Sequence, residues 1–88
     1  MKIINKLIMI PIRELINKIK WDNKEKEDAY SIGYFDRLKK KILFIRFNEI
    51  KNIDGGFMVL NREKETYIPL HRIRVVRKNG RVVWRRTN

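Results

Sequence analysis

Residues 68–84 read IPLHRIRVVRKNGRVVW, and this stretch predicts a tight bend followed by an antiparallel hairpin. Gaps of three residues interrupt the alternation expected of a plain strand, because the apolar positions are Ile68, Leu70, Ile73 and Val76. A single helical turn or a β-bulge would account for those gaps. Asn79-Gly80 then marks a hairpin turn, since both residues accept the positive φ angles of a two-residue turn.

The same pattern occurs earlier in the chain, which indicates an internal repeat. The corresponding apolar positions precede Asp54-Gly55-Gly56 and are Ile45, Phe47, Ile50 and Ile53. Each copy predicts a short strand, a tight segment, a second strand, a glycine turn and a returning strand. The returning strands are predicted at 57–60 and 81–84, with a further turn at 61–65. Shared hairpin geometry alone explains such a repeat, and two copies do not make a solenoid.

An amphipathic helix is predicted before the first strand. Pro11 suits the first helical turn, where its fixed φ angle fits and its missing N–H costs nothing. Apolar residues follow at i, i+3, i+4 and i+7, which form one stripe along a helix: Ile12, Leu15, Ile16 and Ile19. Trp21-Asp22 ends the helix, and we interpret Trp21 as a plug at its end. Alternation at 30–34 and an apolar run at 42–47 predict two further strands.

These patterns together predict an α+β fold. One N-terminal amphipathic helix packs on a strongly curved, mostly antiparallel sheet or a small barrel of short hairpins. A chain of 88 residues is expected to form one domain. We assign residues 9–88 to a single domain and residues 1–8 to an N-terminal extension or short strand, with either Met1 or Met9 as the true start.

The strongest compositional signal is charge. The chain has 22 Lys and Arg against 10 Asp and Glu, which gives a net charge of +12. Residues 66–88 hold seven basic residues and no acidic residue, whereas residues 21–65 are nearly balanced. Solubility does not require such a bias, since surfaces of mixed sign serve it as well. A polyanionic partner explains the bias, because binding releases the condensed counterions of the polyanion. Nucleic acid is the favoured polyanion, ahead of a membrane surface.

Several kinds of site are not expected from this sequence. There is no Cys and only one His, which argues against disulfides, thiolate metal sites and a zinc centre. The acidic residues are scattered, and no phosphate-binding glycine loop, dinucleotide-binding glycine pattern or nucleophile elbow occurs. No apolar stretch is long enough to span a bilayer. We therefore expect a cytoplasmic protein with no metal, no cofactor and no membrane partner.

The bend of the second copy carries the first candidate site. Pro69 stiffens this segment, and Leu70 and Ile73 are expected to be buried. His71 and Arg72 should then project outward together. A neutral imidazole beside a guanidinium can hold a phosphate, since the planar Arg fork matches two phosphate oxygens at once. The alternative is a histidine that hydrogen-bonds its own loop backbone.

Tyr34, Asp36 and Arg37 form the second candidate site, with Tyr30 on the same strand face. Exposed tyrosines can stack on unpaired bases, whereas buried ones belong to the core. We expect Tyr30 in the core and leave both readings open for Tyr34. Asp36 is either a turn residue or the partner that orients Arg37.

The final hairpin concentrates positive charge. Trp84, on its last strand, is expected in the core. Paired strands lie about 5 Å apart, which brings seven basic side chains close together: Arg72, Arg74, Arg77, Lys78, Arg81, Arg85 and Arg86. Their mutual repulsion is unfavourable unless an anion occupies the patch. This crowding is the main argument from the residues themselves for a polyanion-binding surface.

At these motifs the sequence resembles a small archaeal family of uncharacterised proteins, proposed to be an RNA-repair-associated domain that recognises RNA cyclic-phosphate ends. The resemblance covers residues 9–86 and leaves residues 1–8 outside. Four segments carry it: Ile19-Lys20-Trp21-Asp22, Tyr34-x-Asp36-Arg37, Ile68-Pro69-Leu70-His71-Arg72-Ile73 and Gly80-Arg81-Val82-Val83-Trp84-x-Arg86.

The resemblance implies a reader of 2′,3′-cyclic phosphate or similarly processed RNA ends. Relatives are joined to RNA ligase or cyclic-phosphodiesterase domains, so such proteins and single-stranded or processed RNA ends are the expected partners. The motifs transfer a role in RNA or phosphate binding to Tyr34, Asp36, Arg37, His71, Arg72 and Arg86. The charge pattern adds Arg74 and Arg81.

Two alternatives stay open. A metal-free ribonuclease or phosphodiesterase would use His71 as general acid and a tyrosine such as Tyr34 as base, with Arg or Lys stabilising the charge. A general basic protein associated with RNA or the ribosome would bind without any dependence on His71. We favour a binding domain that is not itself a catalyst.

Overall fold

The computed structural model describes residues 8–22, 24 and 26–87. In chain order its helix and strands are α1 (Ile12–Trp21), β1 (Tyr30–Asp36), β2 (Lys41–Arg46), β3 (Ile50–Asp54), β4 (Phe57–Leu60), β5 (Thr66–Pro69), β6 (Ile73–Lys78) and β7 (Arg81–Arg85). Single turns of 3-10 helix lie at Glu27–Ala29, Phe47–Glu49 and Leu70–Arg72. The predicted α+β class, with one helix ahead of short strands, is confirmed.

The strands form two open antiparallel sheets. One has four strands in the order β2-β1-β6-β7, and the other has three in the order β3-β4-β5. Neither order closes on itself, so the described strands form no barrel. The finer expectation of a single curved sheet or small barrel is not confirmed, because the chain leaves one sheet after β2 and returns to it only at β6.

The two 3-10 turns inside the repeat are the crossings between the sheets. Phe47–Glu49 leads from β2 to β3, and Leu70–Arg72 leads from β5 to β6. Each turn begins with a buried apolar residue, Phe47 or Leu70, and is followed by a buried isoleucine. One turn of 3-10 helix brings residues i and i+3 onto the same side, so the three-residue gaps keep the chain attached to the core at each crossing. The predicted helical turn is therefore confirmed in both copies.

Helix α1 follows its predicted stripe. The four residues Ile12, Leu15, Ile16 and Ile19 are all buried. Lys20 donates a hydrogen bond of 2.6 Å from Nζ to the Ile50 carbonyl oxygen, which ties the end of the helix to β3. The plug assigned to Trp21 is wrong, because this side chain is 83% exposed. Trp21 follows Ile19 by two positions, about 200° around a helix, and so points away from the stripe.

The core lies between α1 and the inner faces of both sheets. Tyr30 and Trp84 both belong to it, as predicted. Trp84 satisfies its indole N–H by donating to the Ile10 carbonyl oxygen at 2.7 Å. A buried indole needs such a partner, because an unpaired buried donor costs about 1–3 kcal/mol. This bond also holds the segment before α1 against β7.

The hairpin turns have the predicted backbone. Asn79 and Gly80 have φ angles of 53° and 80°, and Gly55 has a φ angle of 59°. Two consecutive positive φ angles are the mark of a type I′ turn, whose twist matches that of the flanking strands.

No helix in the described part of the chain is long and apolar enough to cross a membrane. The extension or strand predicted for residues 1–8 lies outside the described residues except at Ile8. Its backbone N–H donates to the Val83 carbonyl oxygen at 2.7 Å.

Candidate nucleic-acid interface

A small cavity lies where the end of β1 meets the 3-10 turn between β5 and β6. Its volume is about 170 Å³, against roughly 300–1,000 Å³ for a typical small-molecule site. It therefore suits a small anionic group rather than a complete cofactor. The cavity is lined by Tyr34, Phe35, Asp36, Arg37, Leu38, Thr66, Ile68 and Arg72.

Antiparallel pairing of β1 with β6 assembles this cavity. Tyr34 lies opposite Ile73, the residue that follows Arg72. The register shifts at Tyr34, which places a bulge beside the cavity. Bulges redirect side chains at the edges of functional sites. The pairing brings Arg37 and Arg72 to one cavity although they belong to different candidate motifs in the sequence.

Asp36 acts as a turn residue. Its Oδ1 atom accepts hydrogen bonds from the backbone N–H groups of Leu38 at 2.9 Å and Lys39 at 2.8 Å. An aspartate that accepts bonds from the residues after it stabilises a tight turn. Among the described residues, no ion pair joins it to Arg37. Asp36 thus stabilises the β1–β2 turn that contains Arg37.

Three side chains at the cavity have polar groups available to a ligand. Tyr34 and Arg72 are half-buried, and Arg37 is exposed. Among the described residues, none of these three side chains forms a hydrogen bond or an ion pair at the cavity. Tyr34 also packs against the core, and its stacking on an unpaired base stays a prediction. Its ring is held in place while it borders the cavity.

His71 lies outside the cavity. It is the second residue of the 3-10 turn, and its side chain is exposed. Its backbone carbonyl oxygen accepts a hydrogen bond of 2.9 Å from Nη1 of Arg74. The imidazole makes no hydrogen bond with another described residue, so the alternative of a side chain tied to its own loop is not what the structure shows. The structure also does not bring His71 and Tyr34 together within the cavity.

Arg86 braces the 3-10 turn from behind. Its Nε donates to the Ile73 carbonyl oxygen at 2.8 Å, and its Nη2 donates to the Leu70 carbonyl oxygen at 3.0 Å. The guanidinium lies 5.3 Å from the centre of the Trp84 ring. Burial lowers the pKa of Arg86, and the positive charge of Arg74 lowers it further. Two donors of Arg86 are therefore used by the protein itself, and the side chain does not line the cavity.

The other hairpin arginines divide between different surfaces. Arg74 lies 5.6 Å from the centre of the Phe35 ring, at the border of the cavity. Arg81 pairs with Lys78 at the hairpin tip. The length of β6, about 17 Å at ~3.4 Å per residue, separates that tip from Arg72. The hairpin cations therefore do not all lie at the cavity, because Arg74 borders it and Arg81 lies at the far tip.

None of the six arginines between residues 72 and 86 forms an ion pair with a carboxylate of the described residues. The three ion pairs found there are Lys20–Glu27, Lys51–Glu65 and Arg62–Glu49. The acidic partner of each pair lies within residues 21–65, the charge-balanced middle of the chain. The described residues also contain no group of three or more His, Asp or Glu side chains arranged to hold a metal ion.

The structure adds Phe35, Leu38 and Thr66 to the cavity, and none of the three belongs to the candidate sites of the sequence. The alternation of β1 could have flagged Phe35, because it is an aromatic residue on the face opposite Tyr30. No local signal marks Thr66. It lines the cavity because β5, a strand of the second sheet, lies beside the end of β1 at this point.

Comparison with known protein families gives the same result as the sequence motifs. Residues 9–86 match the family described as the MJ1316 RNA cyclic group end recognition domain. The chain belongs to this family. The match spans nearly all of the described residues, and it confirms the resemblance that the motifs indicate.

Curated relatives in this family come from archaea and are named only as UPF0248 proteins. One from Saccharolobus islandicus is 35% identical over 78 residues, which cover 85% of this chain and 98% of the relative. One from Saccharolobus solfataricus is 36% identical over 78 residues, covering 85% and 95%. One from Metallosphaera sedula is 34% identical over 76 residues, covering 86% and 92%. No solved structure matches the chain significantly.

Proposed function

We propose that this chain binds RNA at processed ends, and that the cavity beside Arg37 and Arg72 receives the terminal cyclic or open phosphate. The observation that carries the proposal is that Arg37 and Arg72 both line one small cavity and form no ion pair with any described carboxylate. The family description, which names recognition of an RNA cyclic group end, supports the same substrate.

The chemistry of a cyclic phosphate fits this arrangement. A 2′,3′-cyclic phosphodiester carries one negative charge and two unbridged oxygens, which a single guanidinium fork can engage as a pair. Arg72 is half-buried and suits this role, because partial burial strengthens a charge-assisted hydrogen bond. Arg37 supplies the second positive charge from the rim, and the Tyr34 ring offers a flat wall for the terminal ribose or base.

The same geometry favours binding over turnover. Cleavage by general acid and base requires both groups within hydrogen-bonding reach of the reacting atoms. His71 does not line the cavity that Tyr34 borders, so the pair suggested for a ribonuclease has no shared site. We assign the protein to RNA repair or processing in the cytoplasm, where RNA ligase or phosphodiesterase proteins would act on the end that it holds.

Fluorescence anisotropy with three RNAs of one sequence tests the proposal. The RNAs are single-stranded, labelled at the 5′ end, and end in a 2′,3′-cyclic phosphate, a 3′-phosphate or free hydroxyls. We expect at least about tenfold tighter binding to a phosphate-bearing end, because a charge-assisted fork is worth roughly 1.5–3 kcal/mol. Arg72→Ala should abolish the preference and leave binding to the hydroxyl end nearly unchanged.

Lys18→Ala is the matched control, because it removes an exposed positive charge from α1, away from the cavity. This variant should keep the full preference for phosphate ends. Equal affinity of the wild type for all three ends would reduce the protein to a general RNA binder. The same RNAs incubated with EDTA should stay chemically intact, and turnover that disappears in His71→Ala would contradict a purely binding role.

A further inference from the structure

The four-stranded sheet has an apolar face opposite the core. On its inner side Ile32, Ile45 and Val76 are buried. Because side chains alternate along a strand, their neighbours lie on the other side. We call that side the aromatic face and define it by Gly33, Phe35, Ile42, Phe44, Val75 and Arg77.

Gly33 allows the centre of the aromatic face to be flat and closely packed. A Cβ atom at this position would lie 2.7 Å from Cγ1 of Val75 and 2.8 Å from Cε2 of Phe44. Only a residue without a side chain lets the Phe44 ring lie across β1 towards β6. The ring therefore lies along the sheet surface rather than standing upright on β2.

Two phenylalanines on this face are paired with arginines. The guanidinium carbon of Arg77 lies 4.2 Å from the centre of the Phe44 ring, and that of Arg74 lies 5.6 Å from the centre of the Phe35 ring. Nε of Arg77 is buried and has no hydrogen-bond partner among the described residues. The contact with the Phe44 ring therefore holds this side chain in place of a hydrogen bond at Nε. Phe44 nevertheless stays 42% exposed.

The aromatic face is positive throughout. Arg46 lies opposite Ser31 and Arg85 lies opposite Val75, so both add their charge to the same side of the sheet. The strand residues on this side include no acidic residue. The three-stranded sheet carries a comparable aromatic pair, Phe57 and Tyr67, with ring centres 6.1 Å apart. There the Tyr67 hydroxyl contacts Glu65 instead, so that surface does not favour a polyanion.

We propose that the aromatic face is a stacking surface for unpaired RNA bases next to the bound end. Phe35 both belongs to this face and lines the phosphate cavity, which makes the two sites continuous. Flat aromatic rings and guanidinium planes are the surfaces on which proteins stack splayed bases. Paired bases in a duplex are unavailable for such contact. The inference rests on the proposed RNA-binding function and specifies its substrate as single-stranded RNA of several nucleotides.

Binding of a hydroxyl-ended single strand tests this surface separately from the cavity. Phe44→Ala should weaken binding by roughly 5- to 150-fold, the range for loss of one stacked base. Phe44→Leu should bind RNA nearly as weakly as Phe44→Ala, because leucine keeps apolar bulk but has no ring. Phe44→Tyr should restore the affinity. Phe57→Ala is the matched control, since Phe57 is also 42% exposed but lies on the other sheet. It should change binding less than twofold.

A duplex of the same sequence should bind at least about tenfold more weakly than the single strand. Any one of three results would overturn the inference. They are a wild-type affinity in Phe44→Leu, an affinity in Phe44→Ala no lower than that of Phe57→Ala, and a duplex bound as tightly as the single strand. Thermal melting of every variant distinguishes lost stacking from lost structure.

The ratio of affinities for phosphate and hydroxyl ends separates this inference from the proposed function. Phe44→Ala should lower both affinities and leave the ratio unchanged. If the wild type shows no end preference but its binding still depends on Phe44, only the proposed phosphate site is rejected. If the wild type shows an end preference but its binding does not depend on Phe44, only the proposed stacking surface is rejected.

Discussion

Arg86 donates a hydrogen bond from Nη2 to the carbonyl oxygen of Leu70, 3.0 Å away, and so braces the turn that presents Arg72. A second bond from Nε to the Ile73 carbonyl oxygen holds the other end of the same turn. The motif that ends in Trp84-x-Arg86 is thereby linked to the motif around His71. Arg86 acts on the proposed phosphate site as a positioning residue, without lining the cavity.

Arg86→Ala should destabilise the protein by about 2 kcal/mol, because two carbonyl groups lose a charged donor. For a domain of this size that loss lowers the melting temperature by roughly 8–16 °C. Arg86→Lys should recover only part of it, since one ammonium group cannot reproduce the fork. Urea unfolding measures the change, and the exposed neighbour Arg85→Ala should stay within about 0.5 kcal/mol of wild type. Equal losses at the two positions would contradict the bracing role.

Gly33→Ala should destabilise the protein by about 1–3 kcal/mol, because the new methyl group overlaps Val75 and Phe44. Gly56→Ala is the control, since a Cβ atom there meets nothing within 4 Å. We expect it to be nearly neutral in the same chemical unfolding experiment. If Gly33→Ala were as stable as Gly56→Ala, the Phe44 ring would not lie across β1.

The two tryptophans should differ sharply in fluorescence quenching. Trp84 is buried and hydrogen-bonded to Ile10, whereas Trp21 is 83% exposed. In Trp21→Phe the remaining emission should be shifted to the blue and resist iodide. In Trp84→Phe the remaining emission should be quenched readily, and stability should fall. Similar quenching of both variants would be inconsistent with the packing of β7 against the core.

The pair of Lys51 and Glu65 should give stability a weak pH dependence. The hydrogen bond from Lys51 lowers the pKa of Glu65 from its usual 4.5, and the bond to Glu65 raises the pKa of Lys51 above 10.5. The Glu65 contribution is present above pH 4.5 and disappears as the pH falls through the lowered pKa. The Lys51 contribution is present below pH 10.5 and disappears as the pH rises through the raised pKa.

Lys51→Met should therefore differ most from wild type at neutral pH and approach it in acid and in strong base. Denaturant titrations across the pH range measure this difference. Both groups are exposed, so 1 M salt should nearly remove it. A difference that persists in acid would point to packing by the lysine stem instead.

Salt dependence should separate Arg72 from Arg81. On single-stranded RNA, losing one phosphate contact reduces the slope of log K against log salt by about 0.7. Arg72→Ala should show this change together with a lost preference for phosphate ends. Arg81→Ala, at the hairpin tip, should leave the end preference intact. Identical behaviour of the two variants would indicate a nonspecific positive surface.

Local patterning is sufficient for much of the fold. The i, i+3, i+4, i+7 stripe predicts α1, the glycine turns predict the hairpins, and the three-residue gaps predict a helical turn or a β-bulge where the 3-10 turns lie. Each of these signals depends on backbone geometry within a few residues, which sequence spacing records directly. The excess of positive charge in residues 66–88 is likewise a property of composition.

The arrangement of the candidate sites depends on long-range pairing instead. Pairing of β1 with β6 brings Arg37 and Arg72 to one cavity and leaves His71 outside it, whereas β5 of the other sheet contributes Thr66. The pairing of β1 with both β2 and β6 places Arg77 near Phe44, and the pairing of β6 with β7 places Arg86 near the backbone of the crossing turn. Spacing within a strand predicts which residues share a face. It does not predict which strand lies beside that face, because strand order is set by how the whole chain buries its apolar surface.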